Sequence, residues 1–189
     1  MHIKRGRDRA VVALPRLGIV LKFPIIHLLT AARLLRDYLG EDRHRWRHNL
    51  HLELQIPIEH MMSGIKGALF RGVVANWREF RLYQTTRHAF LQPTYFSFLG
   101  LLNVQKYGNP YDGDYRALWT QMLNLTEAAV WADNHHFSNP DNFCVHEGTL
   151  RLVDYGNPKG VPVILQYGDL ILEVFDVSSP AVRVPEEYL

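Results

Sequence analysis

The stretch His135-His136-Phe137-Ser138-Asn139-Pro140-Asp141-Asn142-Phe143-Cys144-Val145-His146-Glu147-Gly148-Thr149-Leu150-Arg151-Leu152-Val153-Asp154-Tyr155-Gly156 decides how this chain is read. Phe143-Cys144-Val145 predicts one strand, His146-Glu147-Gly148 its turn, and Thr149 to Val153 the returning strand. A hairpin of that form brings Asn142 and Asp154 to the same end of a two-stranded ribbon. One amide and one carboxylate there, completed by phosphate oxygens, make a hard oxygen set of the kind that suits magnesium. The competing reading is an ordinary hairpin with polar turn residues at both ends.

The elements upstream narrow the choice. Arg9 to Leu14 predicts a strand, Pro15-Arg16-Leu17-Gly18 a turn, and Ile19 to Phe23 the returning strand. Lys22 lies inside that apolar strand, where an ammonium is expensive to bury unless paired. An edge-strand lysine that blocks aggregation is the plain alternative. Val73 to Tyr83 predicts a helix with Val73, Trp77 and Phe80 on one face, and it contains Glu79. Leu91 to Leu99 reads as a strand, Gly100 as a turn, and Leu101 to Tyr107 as the next strand. Gly108 to Asp114 reads as a flexible connection. Tyr115 to Trp131 follows as a helix with Leu118, Met122, Leu125 and Ala129 on one face.

Taken in order, these pieces resemble the protein-kinase-like enzymes. Pro140-Asp141-Asn142 stands where that family has Pro-Glu-Asn, and Asp154-Tyr155-Gly156 stands where it has Asp-Phe-Gly. The resemblance implies a reduced kinase-like α+β fold: a small antiparallel sheet lobe with one key helix, and a truncated helical second lobe. It implies ATP and Mg2+ as ligands, with Lys22 on the phosphates, Glu79 orienting Lys22, and Asn142 and Asp154 on the metal. The chain also departs from the pattern. The family's catalytic Asp falls on Phe137, and a phenyl ring can neither accept nor orient a proton. Only Gly6 and Gly18 lie near the first strands, so a glycine-rich flap is absent, and the first strand is expected to be missing or a stub. Val161 to Leu165 and Leu170 to Phe175 read as short strands or one short helix, and Val177 to Leu189 as a loosely packed tail.

The expectation is therefore a pseudokinase acting as nucleotide sensor or scaffold. One alternative is an atypical Mg-ATP phosphotransferase acting on a small-molecule or lipid-linked hydroxyl. Another is a kinase-shaped interaction module with no nucleotide. One domain over 1–189 is expected, with an amino-terminal lobe at 1–107 and a truncated carboxy-terminal lobe at 108–189. His135 matches the family's His and His136 replaces its Arg, so neither reads as a base in this register. Asp133 supplies a carboxylate only if the loop is rearranged.

A helical insertion is expected at about 24–72. Ile25, Leu28, Leu29, Ala32, Leu35 and Leu39 recur at helical spacing, and Arg33 to His48 is rich in basic residues. The second part, Ile56 to Phe70, is apolar and holds Met61 and Met62. Three uses compete for this insertion: extra helices packed on the lobe, an anionic membrane surface with Trp46 at the interface, and a patch for a protein or phosphorylated partner. Nucleic acid is not favoured, because aromatic interleaving is poor and the net charge of +2 is small. His44, His48 and His51 lack the partners of a zinc pattern. The single cysteine, Cys144, excludes an intrachain disulfide and reads as a buried, inert thiol. The amino terminus lacks a signal-peptide core, and no apolar run is long enough to span a bilayer. A cytoplasmic location follows as the expectation, with attachment to the inner face of a membrane as the variant.

Overall fold

Strand period and turn chemistry set the first sheet of the computed structural model, which describes residues 1–40, 43–55 and 64–178. β1 (His2–Arg5), β2 (Arg9–Leu14) and β3 (Ile19–Pro24) form an antiparallel meander. β4 (Thr94–Phe98) and β5 (Leu102–Lys106) complete it, with β5 against β3, in the order β1-β2-β3-β5-β4. The first strand is thus present, four residues long. β4 begins later than Leu91: Leu91 makes an isolated parallel bridge to Leu152 instead, and Pro93 has no N–H to extend a ladder.

Among the described residues three helices lie between β3 and β4: α1 (Leu28–Gly40), α2 (Arg43–Gln55) and α3 (Gly64–Thr86). α3 crosses β3, β4 and β5 and starts earlier than the helix expected over 73–83. Its first half carries glycines, which lower helix propensity, yet packing requires one of them. A Cβ at Gly72 would sit 2.3 Å from the Asp8 carbonyl oxygen. The buried face of α3 is Gly67, Ala68, Gly72, Asn76 and Glu79. The stripe of Val73, Trp77 and Phe80 is displaced to one side, and Trp77 is 38% exposed. The fold buries the polar face of this helix because its partners are polar. Asn76 Nδ2 donates to the carbonyls of Lys22 (3.2 Å) and Gly100 (2.9 Å), and Asn103 Nδ2 donates to the Asn76 carbonyl (2.7 Å).

α1 rests on α3, and the His27 N–H donates to the Ala68 carbonyl. Only Ala31 of α1 is buried; Leu28, Leu29, Leu35 and Leu39 remain exposed. Met61, Met62 and the rest of 56–63 lie outside the described residues, as do residues 41–42 and the tail from 179.

The second half begins with β6 (Asn109–Pro110) and α4 (Tyr115–Leu125). Asp114 caps α4 by accepting from the N–H groups of Arg116 and Ala117. The helix is shorter than the 115–131 span expected. The Thr126 hydroxyl bonds back to the Met122 carbonyl, and Glu127 and Ala128 then take left-handed φ angles of 50° and 64°. A 3-10 turn at Ala129–Asp133 leads into the one-turn α5 (Asn134–Phe137). β7 (Phe143–His146) and β8 (Thr149–Leu152) form the hairpin, with Glu147 and Gly148 both at positive φ in the turn. The segment after Gly156 forms one helix, α6 (Val161–Val174), rather than two strands. Val163, Ile164, Gly168 and Ile171 face inward at helical spacing. The main core lies here, around Phe90, Leu118, Met122, Phe137, Phe143, Leu152 and Ile164. Among the described residues no helix is long and apolar enough to cross a membrane. The fold is mixed α+β, with an antiparallel sheet and packed helices.

Candidate functional site

The period of two along a strand puts Arg9, Val11 and Ala13 on one face of β2. Register places Val11 opposite Lys22 and Ala13 opposite Val20, so the same face continues onto β3. These side chains roof a cleft of about 770 Å3. Its floor comes from the β7–β8 hairpin: Asn142, Phe143, Cys144, Val153 and Asp154. The Lys106-Tyr107-Gly108 connection closes one end. The volume is in the range of small-molecule sites.

Lys22 is buried at the inner end. Its ammonium donates to both carboxylate oxygens of Glu79 (2.9 and 3.1 Å) and to the Val153 carbonyl. Burial pulls the Lys22 pKa below its usual value, although Glu79 favours the charge. Glu79 is fully buried and serves two further donors: Arg9 Nη1 at 2.5 Å and the Tyr155 N–H at 3.3 Å. The Tyr155 ring goes under the sheet, where its hydroxyl meets Thr94 Oγ1 and the Gln92 carbonyl, each at 2.7 Å.

The second guanidinium nitrogen of Arg9 is paired with Asp154 Oδ1. Burial opposes the Arg9 charge, but Asp154 and Glu79 more than offset it and hold the guanidinium firmly protonated. For Asp154, burial pushes the carboxyl pKa up. Arg9, Lys22 and His136 push it down harder, leaving it well below the usual carboxylate range. Lys22, Glu79, Arg9 and Asp154 thus form a continuous chain of ion pairs, in that order, at the inner end of the cleft.

A second cluster adjoins it. His136 Nδ1 lies 2.7 Å from Asp133 Oδ1, and His136 Nε2 lies 3.9 Å from Asp154 Oδ1. Asn157 Nδ2 donates to the same Asp133 oxygen at 2.6 Å. Burial disfavours the imidazolium; the Asp133 hydrogen bond and the nearby Asp154 charge outweigh it, so the His136 pKa is raised. Asn142 Nδ2 donates to the His136 carbonyl at 3.0 Å, and the Asn142 carbonyl accepts the Val153 N–H at 2.8 Å. Phe137 is fully buried against Phe143 in the core. Lys4 on β1 reaches Asp141 at 2.5 Å and spans the outer side of the cleft.

The structure therefore brings Lys22 and Glu79 into contact, and it sets Asn142 and Asp154 on the lining of one cleft. Arg9 and Asn157 escaped the sequence reading as site residues, and His136 was read only as the replacement of the family's Arg. Arg9 was detectable, because strand period carries it onto the Lys22 face two residues before Val11. Asp133 was legible only as a carboxylate near the loop. Its partner Asn157 lies 24 residues away in sequence and carried no signal.

The donors do not fit a magnesium ion as arranged. Magnesium demands near-octahedral oxygen ligation, and here the Asp154 carboxylate is already bonded by a guanidinium and faced by an imidazole. Among the described residues no group of three or more His, Cys, Asp or Glu converges as a metal set. Comparisons with protein-family models, curated proteins and solved structures find no match to this chain.

Proposed function

We propose that the chain is a kinase-like nucleotide-binding protein that lacks the family's catalytic carboxylate and acts as a sensor or scaffold. One observation carries this reading. The Lys22–Glu79 ion pair forms between residues 57 apart in sequence, and its Lys22 lines the same cleft as Asp154. An ammonium buried at the end of an otherwise partly apolar cleft is a natural partner for phosphate oxygens. Val11, Ala13 and Val20 above and Cys144 and Val153 below offer flat apolar walls for a base. The order of strands, of the Glu79 helix and of the hairpin agrees with the resemblance in Asn142 and Asp154-Tyr155-Gly156. Phe137, packed in the core, leaves the family's proton acceptor unreplaced at its own position.

Calorimetric titration of ATP tests the reading, beside Lys22→Met and an Ala13→Trp variant that fills the base side. Saturable binding lost in both variants supports it. No heat at millimolar nucleotide refutes it, and leaves the kinase-shaped interaction module.

A second reading, phosphoryl transfer to a small-molecule or lipid-linked hydroxyl, is favoured by one feature. Asp133 and Asn157 fix the His136 ring beside Asp154, where the neutral ring, with its proton on Nδ1 toward Asp133, offers Nε2 as acceptor to an incoming hydroxyl. ATP consumption that depends on an added hydroxyl compound, and on Asp154, would favour it over the first.

A further inference from the structure

Resting on that nucleotide reading, we infer that Arg9 takes the place of the divalent cation, so that the cleft accepts a nucleoside triphosphate free of metal. The family to which the chain is likened reaches its nucleotide phosphates with a flap of glycine amides and a metal on the Asp of Asp-Phe-Gly. This chain changes both parts in one segment. Across the turn from the end of β1 to the start of β2 it carries Arg5-Gly6-Arg7-Asp8-Arg9 in place of a glycine-rich flap. The last of these arginines turns inward and bonds the carboxylate on which a metal would depend.

Geometry favours the guanidinium over a dication. Arg9 sits between Glu79 and Asp154, 11% exposed, with one nitrogen on each carboxylate. A metal reaching Asp154 would have to evict a buried cation and leave it without that counter-ion, which is costly. A guanidinium has five N–H donors in a planar fork suited to phosphate. Two nitrogens hold Glu79 and Asp154, and the Arg9 side chain lines the cleft. Lys22 stands beside it on the other side of Glu79. Arg7 and Lys106 line the same cleft and extend the positive field outward. Charge that a metal would bring with the nucleotide is thus supplied by the protein. Arg9 acts here as a binding and specificity-determining residue: it selects the metal-free form of the ligand.

The test is calorimetric titration of ATP into the full chain, once in excess magnesium and once in EDTA, with Arg9→Met and Arg9→Lys alongside. The wild-type dissociation constants in the two buffers should agree within about threefold. Arg9→Met should lose about tenfold or more in EDTA and regain affinity with magnesium, because Asp154 is released. Arg9→Lys should keep most of the metal-free binding. A direct readout uses manganese alone, followed by electron paramagnetic resonance: no binding is expected in the wild type, and binding in Arg9→Met. Wild-type binding that needs magnesium overturns the inference and leaves the nucleotide reading standing. Equal binding of ATP in EDTA by wild type and Arg9→Met also overturns it. No binding in either buffer overturns both together.

Discussion

Replacing Glu79 with alanine should unfold more of the protein than any other single change in the cleft. The carboxylate is fully buried and holds Lys22, Arg9 and the Tyr155 N–H at once. Removing one partner of a buried ion pair typically costs about 3–5 kcal/mol, because the remaining charges stay desolvated. Lys22→Met is the informative contrast. It deletes a charge whose pKa burial already lowers, and Glu79 keeps Arg9. The loss is then chiefly hydrogen bonds, about 1–2 kcal/mol. In urea, at a slope of roughly 2 kcal/mol per molar, the midpoints should fall by about 1.5–2.5 M for Glu79→Ala and by less than about 1 M for Lys22→Met. Equilibrium unfolding at neutral pH, followed by far-ultraviolet circular dichroism, gives both numbers. A Lys22→Met loss equal to or above that of Glu79→Ala would refute the reasoning, since it would mean that Arg9 does not sustain Glu79.

Three further outcomes are expected. The raised pKa of His136 means that the fold favours the imidazolium. Its contribution is fully present below the ordinary value of 6.5 and is lost as pH rises through the folded-state value. The urea midpoint of wild type minus that of His136→Gln should therefore shrink from mildly acidic to alkaline pH, and a difference that grows would contradict the Asp133 contact. Burial pushes the Cys144 thiol up to about 12, against the pull of Arg151 and Lys22. Ellman's reagent should then react with the native protein roughly a thousandfold more slowly than with an ordinary thiol, and normally in denaturant. Gly156→Ala would place a Cβ 2.6 Å from the Ala75 carbonyl oxygen on α3. A loss of about 1–3 kcal/mol in the same urea assay is expected, with weaker ATP binding, because the loop carrying Asp154 must back away from the helix.

The β7–β8 hairpin and the β2–β3 pair were readable because local signals and tertiary need agree there. Strand alternation from Arg9 to Phe23 matches the β2–β3 register, and Glu147-Gly148 supplies the turn. α3 was readable as a helix but not in its orientation. Its apolar stripe at Val73, Trp77 and Phe80 outcompetes Asn76 and Glu79 in any hydrophobic count, yet the polar pair is buried because β3 and β5 present carbonyls and an ammonium to it. The end of α4 was misjudged because Glu127 and Ala128 favour helix intrinsically, and the Thr126 side-chain bond that ends it is visible only in three dimensions. At the site, the resemblance paired Lys22 with Glu79, and the need of a buried ammonium for a counter-charge agrees with it. Asp133, His136 and Asn157 carried no such signal, since their meeting depends on how the 3-10 turn and α5 bend.

The length of α3 has a mechanical consequence. At 1.5 Å per residue, 23 residues make a rod of about 35 Å. α1 leans on the first part of that rod, near Ala68, while Glu79 sits three turns further along on the same buried face. Between them Gly72 lies against the Asp8 carbonyl, one residue before Arg9, with no room for a Cβ. Any load placed on α1 is transmitted along a stiff beam whose far arm carries the counter-ion of Lys22 and Arg9. A small tilt at one end becomes a change in charge spacing at the other.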